Sequence, residues 1–413
     1  MNKIIYLDNN ATTKVSETVA EKMQPYLCEL YANPSSMHDF GAEVAKGVKE
    51  ARQNVKEFLG ANSEKEIIFT AGGSESANMA IKGYLDANKK KKHIITTKVE
   101  HPCVLNLFHH LEKQGYETTY IGVNSHGELD LDELQKSIRP DTALVSVMWA
   151  NNETGVIFPI DKIAKIVKKE NPDTKIYVDA VQAAGKIPIN VKDLQIDMLG
   201  ISGHKIHAPK GVGALYVKAG TLLTPLIIGG HQEFGKRAGT ENVQSIVGLG
   251  QAALEAMDYL KNGVEKTRYL RDKLEKGILK NVFNSKLNAN TQNRVPNTTN
   301  IGFEYVEGEL ILLHLGDLGI CASSGSACTS GSLEPSHVLK AMGTPFTALH
   351  GSIRFSLSRY TTEEEIDYAI ENIPAVIEKL ASFSPFQEEL EQLKKSKCPK
   401  ECCKTGGSCP KGN

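Results

Sequence analysis

The residues best suited to chemistry fall in three short stretches, in a definite order. In Thr70-Ala71-Gly72-Gly73-Ser74-Glu75-Ser76-Ala77-Asn78 an apolar strand runs through a glycine-rich turn into a helix. Backbone N–H groups at such a helix start point at whatever binds there, and the helix dipole favours an anion, so the stretch reads as a phosphate cradle or as a tight strand–helix connection. In Tyr177-Val178-Asp179-Ala180-Val181-Gln182 a carboxylate ends an apolar strand. It reads as a helix cap, or as a buried partner for a protonated heterocycle nitrogen, with Gln182 reaching a neighbouring oxygen. In Ser202-Gly203-His204-Lys205 a lysine follows another apolar strand. It reads as a solvated surface charge, or as an amine turned into a site, where desolvation or a nearby cation lowers its pKa and lets it take up an aldehyde. A phosphate cradle, a strand-end Asp and a strand-end Lys, in that order, are what a pyridoxal 5'-phosphate (PLP) site requires. The Asp keeps the pyridine nitrogen protonated and the Lys holds the aldehyde.

These residues need a scaffold that brings strand ends together. Short β-rich runs at 66–70, 93–97, 118–123, 143–150, 175–179, 198–202 and 213–218 alternate with helical patterns near 75–87, 103–114, 130–138 and 161–170. That alternation predicts a mainly parallel sheet covered on both faces. No helix separates the last two runs, which points to an antiparallel pair. Residues 243–282 read as one or two long helices. A smaller unit follows, with strands near 299–303 and 352–358 and helices near 307–315 and 363–380. The last helix starts with a capping box, Thr362 with Glu365, and holds Pro374, which predicts a kink or a split.

The composition narrows the class of function. Among 413 residues, 48 Lys and Arg nearly balance 49 Asp and Glu, so the broad basic excess of a nucleic-acid binder is absent. No apolar run approaches the length of a membrane span, and the N-terminus lacks a signal-peptide core, so a cytoplasmic protein without membrane partners is expected.

Eight ordered segments resemble the cysteine desulfurases of group I, the NifS/IscS-like branch of the fold-type I PLP enzymes. They are Asn33-Pro-Ser-Ser, Val99-Glu-His-Pro, Asn151-Asn-Glu-Thr-Gly, Asp179-Ala-Val-Gln, Ser202-Gly-His-Lys, Arg237-Ala-Gly-Thr-Glu, Ser324-Gly-Ser-Ala-Cys-Thr-Ser and Ser352-Ile-Arg-Phe-Ser. The likeness begins at Tyr6-Leu-Asp-Asn-Asn-Ala-Thr-Thr and runs to about Leu380. It implies an α/β fold: a large PLP-binding domain over 16–261 with a seven-stranded sheet, and a smaller α+β domain from 1–15 with 262–383. Residues 384–413 remain as a Cys-rich flexible tail. It also implies conversion of L-cysteine to L-alanine with sulfur passed to Cys328 as a persulfide.

The same resemblance assigns roles. Lys205 looks like the lysine that binds PLP and moves the α-proton, and His101 like the imidazole stacked on its ring. Asp179 matches the pyridine-nitrogen partner, Gln182 and Asn152 the partners of the ring oxygen, and Gly73, Ser74, Ser202 and His204 the phosphate site. Thr240 matches a phosphate ligand supplied by the other subunit of a homodimer. Arg354, with Asn33 and Asn152, matches the substrate-binding set.

Cys328 lies in a run of small residues, as a nucleophile that must travel would, and is also a candidate transient iron–sulfur ligand. Cys28, Cys103 and Cys321 read as packing residues. Cys398, Cys402, Cys403 and Cys409 read as a zinc or iron–sulfur site, as relay thiols, or as an end without a catalytic role. An iron–sulfur scaffold protein is the expected sulfur acceptor, with tRNA thiolation as an alternative. Selenocysteine lyase, aminotransferase and non-catalytic scaffold are the competing functions. Cys328 argues against the first two, and the intact Lys205, Asp179 and His101 against the third.

Overall fold

A computed structural model describes residues 4–289, 292–324 and 335–397. Its chain forms strands β1 (Ile5–Tyr6), β2 (Ile67–Thr70), β3 (His93–Thr97), β4 (Glu117–Ile121), β5 (Thr142–Met148), β6 (Lys175–Asp179), β7 (Met198–Ser202) and β8 (Gly213–Val217). Strands β9 (Ser285–Leu287), β10 (Thr298–Phe303), β11 (Ile320–Cys321), β12 (Ser323–Ser324) and β13 (Ser352–Ser356) follow. The central sheet has seven strands in the order β2-β8-β7-β6-β5-β3-β4. Its ladders are parallel except those of β8, which runs antiparallel to both β7 and β2.

The central strands are buried along their whole length because helices cover both faces. The helix Ile160–Glu170 shows how: Ile160, Ile163, Ala164 and Val167 are buried, while Lys162, Lys165 and Lys169 face water. Helices Asp39–Leu59 and Val243–Asn262 cross where Gly250 meets Ala51; a Cβ on Gly250 would lie 2.5 Å from the Ala51 Cα. The 243–282 region is two helices, broken at Gly263.

A second sheet, β12-β13-β10-β9, is antiparallel. Its apolar cluster gathers Phe303 and Phe355 with Leu274, Ile366 and Ile373 from the helices Val264–Asn281 and Glu363–Ser382. Ile5 and Leu7 join the same cluster, and β1 pairs in parallel with β11. From there the N-terminal segment crosses to the large sheet, where the Thr13 N–H donates to the His204 carbonyl at 2.9 Å.

Two expectations change. Pro374 does not split its helix, which runs unbroken over Glu363–Ser382, with both capping-box bonds between Thr362 and Glu365 formed. Burial of Ile366, Ala369, Ile373 and Ile377 on one face holds the turn that lacks a proline N–H. The stretch expected as the start of a flexible tail instead forms the helix Gln387–Lys397. Leu390, 4 % exposed and part of the second apolar cluster, docks it, helped by Gln387 Nε2, which donates to the Ala381 carbonyl, and by Lys394 over the Phe283 ring.

The start of β8 packs against the glycine-rich turn after β2. A Cβ on Gly213 would lie 2.6 Å from the Ile201 carbonyl oxygen and 2.8 Å from the Gly72 Cα. Both obstacles are backbone and cannot rotate away. Gly213→Ala is therefore expected to destabilise the fold by about 1–3 kcal/mol and to loosen the turn, as measured by urea unfolding.

Candidate active site

The carboxyl ends of the parallel strands open along one edge of the sheet, where ligands of open α/β sheets bind. His101 follows β3, Asn152 follows β5, Asp179 ends β6, and Ser202 to Lys205 close β7. Gly73 and Ser74 open the helix Gly73–Ala87 after β2. Together with Gln182 and Arg354 these residues line one cavity of 210 Å³. The three stretches that the sequence singles out thus meet in space.

The turn at Gly72 has φ 150°, a conformation that side chains disfavour, and a Cβ on Gly73 would lie 2.8 Å from Val181 Cγ2. The helix N-terminus can therefore approach the cavity closely. Ser74, Ser202 and His204 add polar side chains at the same end. This donor set suits a phosphate. His204 is held neutral, its pKa pushed down to about 4 by burial and by the charge of Lys205.

Asp179 is buried, and desolvation pushes its pKa up to about 6. The Val181 N–H donates to its Oδ1 at 2.9 Å, and Lys205 favours its charged form, but neither fully offsets burial. A protonated ring nitrogen would supply the missing partner. His101 caps the helix Pro102–Glu112: its Nδ1 accepts from the Cys103 N–H at 3.2 Å, so the ring proton sits on Nε2. Burial, then Lys205 and His337, pushes its pKa down to about 4. A neutral imidazole is suited to stacking on a cationic heterocycle.

The Lys205 amine donates to the carbonyls of Asn10 at 2.5 Å and Ala11 at 2.7 Å. Gln182 Nε2 donates to the same Asn10 carbonyl at 3.0 Å. Arg354 is buried; its Nη2 pairs with Asp8 at 2.8 Å and its Nη1 donates to the Asn152 carbonyl at 3.0 Å. Its Nε is buried and has no hydrogen-bond partner among the described residues. Arg354 lines the cavity, and its guanidinium is the fixed positive charge there that suits an incoming carboxylate.

Sequence reasoning missed several participants. Asn10 is a hub: its side chain donates to Thr298 Oγ1 and the Asn152 carbonyl, and accepts from Asn297 and Lys186. Lys186 is buried one turn after Gln182 and donates to its Oε1. Burial, then Lys205 and Arg354, holds its pKa far below the ordinary lysine range. The available signal was the polar run Asp8-Asn9-Asn10 directly after an apolar strand. Cys103, expected only to pack, also lines the cavity, and burial pushes its thiol up to about 12. Cys28 is exposed rather than packed, because its helix is only Pro25–Cys28. Cys321 is half-buried on β11.

Two expected site residues stay away from this cavity. Asn33 is exposed, its side-chain oxygen turned back to accept from the Ser35 N–H at 2.9 Å. Thr240 is also exposed, beside a separate 560 Å³ cleft lined by Pro34, Ser35, His231 and Glu241. Cys328 and the cysteines at 398, 402, 403 and 409 lie outside the described residues. Among the described residues no cluster of His, Cys, Asp and Glu suits a metal ion, and no helix is long and apolar enough to cross a membrane.

Comparison with known proteins gives a consistent result. The family model described as aminotransferase class-V matches residues 5–369. A cysteine desulfurase of Nostoc sp. strain PCC 7120 is 58% identical over 386 residues, covering 94% of this chain and 96% of the relative. The cysteine desulfurase NifS of Azotobacter vinelandii is 51% identical, covering 92% of this chain and 94% of its own. A solved NifS-like protein superposes with a TM-score of 0.87 at 39% identity, covering 92% of this chain and all of its own.

The buried carboxylate gives a measurable consequence. Because burial raises the Asp179 pKa from 3.8 to about 6, its ionised form costs the ligand-free fold stability. That cost is absent below about pH 4, grows as pH rises towards 6, and is complete above it. Asp179→Asn should therefore raise the melting temperature of the PLP-free protein at neutral pH, with the gain fading in acid. The same change should weaken PLP retention, which melting curves with and without PLP would reveal.

Proposed function

The chain belongs to the class-V aminotransferase family and is a PLP-dependent cysteine desulfurase, and we propose that it delivers the sulfur of L-cysteine to Cys328 through the cavity around Lys205. The observation that carries this reading is the convergence of Lys205, Asp179, His101 and Arg354 on one cavity at the sheet edge. Bound PLP supplies an electron sink for negative charge at the substrate α-carbon.

The chain's residues do the rest. Gly73, Ser74, Ser202 and His204 would hold the phosphate, Asp179 would pair with the ring nitrogen, His101 would stack on the ring, and Gln182 and Asn152 would serve the ring oxygen. Arg354 and Asn152 orient the substrate, the α-carboxylate lying on the guanidinium. Lys205 would hold the cofactor aldehyde, and its amine is the base placed to move the proton of the substrate α-carbon. The Cys328 thiolate attacks the substrate sulfur. The balance is L-cysteine plus the Cys328 thiol giving L-alanine plus the Cys328 persulfide.

The homodimer belongs to the same proposal. Thr240 is exposed in this chain, and Leu222, Ile228 and Phe234 expose apolar surface on the same stretch, which supports its packing against a second copy. Thr240 and Asn33 would then serve a neighbouring site. An iron–sulfur scaffold protein in the cytoplasm is the proposed acceptor, on the strength of the NifS relationship.

Two variants test the site. Lys205→Ala should abolish alanine formation and the visible absorption of the bound cofactor; turnover at the wild-type rate would refute the assignment. Cys328→Ser should keep the cofactor and its spectral response to L-cysteine but form no protein persulfide. Persulfide on another cysteine would displace Cys328 from its role.

For the four C-terminal cysteines we propose a zinc or iron–sulfur site separate from desulfuration. Since Leu390 docks the last described helix, the cut belongs after Lys397. The truncated protein should keep alanine formation and lose bound zinc or iron, measured by elemental analysis; full metal retention would remove the tail from consideration.

A further inference from the structure

The segment carrying Cys328 rejoins the described structure at Pro335, and the next two residues are fastened to the active-site loops. Ser336 is buried and caps the helix His337–Ala341, its Oγ accepting from the Leu339 N–H at 3.1 Å. The same hydroxyl donates to Glu153 Oε2. The His337 Nε2–H donates to the Glu100 carbonyl at 2.9 Å. Glu153 directly follows Asn152, and Glu100 directly precedes His101. The two loops that bring His101 and Asn152 to the cavity therefore also seat the root of the sulfur-accepting segment. Val338 and Leu339 continue into the main apolar core, so this root is anchored on both sides.

Glu153 is a buried carboxyl whose pKa burial pushes up to about 7, with the Ser336 hydrogen bond and then Arg354 pulling it back, and a buried polar group of this kind costs stability unless hydrogen bonds compensate it. A single hydroxyl from the root of the Cys328 segment is a partner that needs a strong acceptor at a set place. We propose that Glu153 is a positioning residue for sulfur transfer. By holding Ser336 it fixes where the chain leaves the described fold towards Cys328, and through that one bond it governs the rate at which Cys328 receives sulfur. The inference rests on the assignment of Cys328 as acceptor.

The carboxylate of Glu153 also acts electrostatically on Arg354, so altering it would disturb substrate binding as well. The hydroxyl is the cleaner target. In the PLP-loaded enzyme, Ser336→Ala should slow single-turnover persulfide formation on the Cys328 peptide about tenfold, while the L-cysteine affinity read from the cofactor spectrum stays within about twofold. Ser336→Thr, which keeps both bonds, should stay within about twofold of wild type on both counts. If Ser336→Ala does not fold, Ser336→Gly carries the test, because glycine at this capping position costs only a few tenths of a kcal/mol relative to serine. Transfer at the wild-type rate, or affinity and rate falling together, would overturn the proposal. A wild-type label on a cysteine other than Cys328 is a separate result: it defeats the acceptor assignment itself.

Discussion

The carbonyl oxygen of Asn10 receives both the Lys205 amine and the Gln182 amide, and the rest of the site hangs on that contact. It places an N-terminal segment, anchored in the smaller sheet through Ile5 and Leu7, against the strand ends of the larger one. The Asn10 side chain extends the link to Asn152 and Thr298, and Asn152 in turn receives Arg354. Groups assigned to cofactor and to substrate are thereby held in one frame. The neutral bonds contribute about 0.5–1.5 kcal/mol net each and those from Lys205 and Arg354 about 1.5–3; all are buried or partly buried, and a vacancy in the set leaves a polar group poorly satisfied.

The same frame explains the charge state of the cavity. Burial, with the charge of Lys205 added to it, pushes the pKa values of His101 and His204 down to about 4, and burial with Lys205 and Arg354 holds that of Lys186 far below the ordinary lysine range. A phosphate and a carboxylate are anions, and the cavity is prepared to receive both. Asp179 is the exception, a single acid placed where a cation must form. Its burial costs the empty fold stability and gives the loaded one its specificity.

Much of this was legible in the sequence, and the gaps have physical causes. Apolar runs identified β2 and β5 to β8, because strands buried on both faces admit no polar alternation, whereas the half-buried edge strand β4, Glu-Thr-Thr-Tyr-Ile, was marked by its β-rich residue types. Asp179 and Lys205 were found because they break such runs at the ends. Asn10 and Asp8 were missed because their importance depends on pairing with Ser356 and Arg354, hundreds of residues away. Lys186 was passed over since a lysine one turn after a glutamine ordinarily faces water. The helix Gln387–Lys397 escaped because one buried leucine leaves no periodic stripe to read.

The pairing of Ile5 with Ile320 and of Thr70 with Gly213 bears on how the chain is born. A ribosome adding about 5–20 residues per second needs roughly 15–65 s to pass from the first of these residues to Ile320. Through that interval Ile5 and Leu7 have no sheet to join, and for roughly its first two-thirds the glycine-rich turn has no β8 to brace it. Arg354 arrives later still. A nascent chain therefore lacks a complete cradle until Arg354 has been made. Long-range closure of this kind is slow and leaves apolar segments uncovered while it waits, the hazard that chaperones exist to relieve.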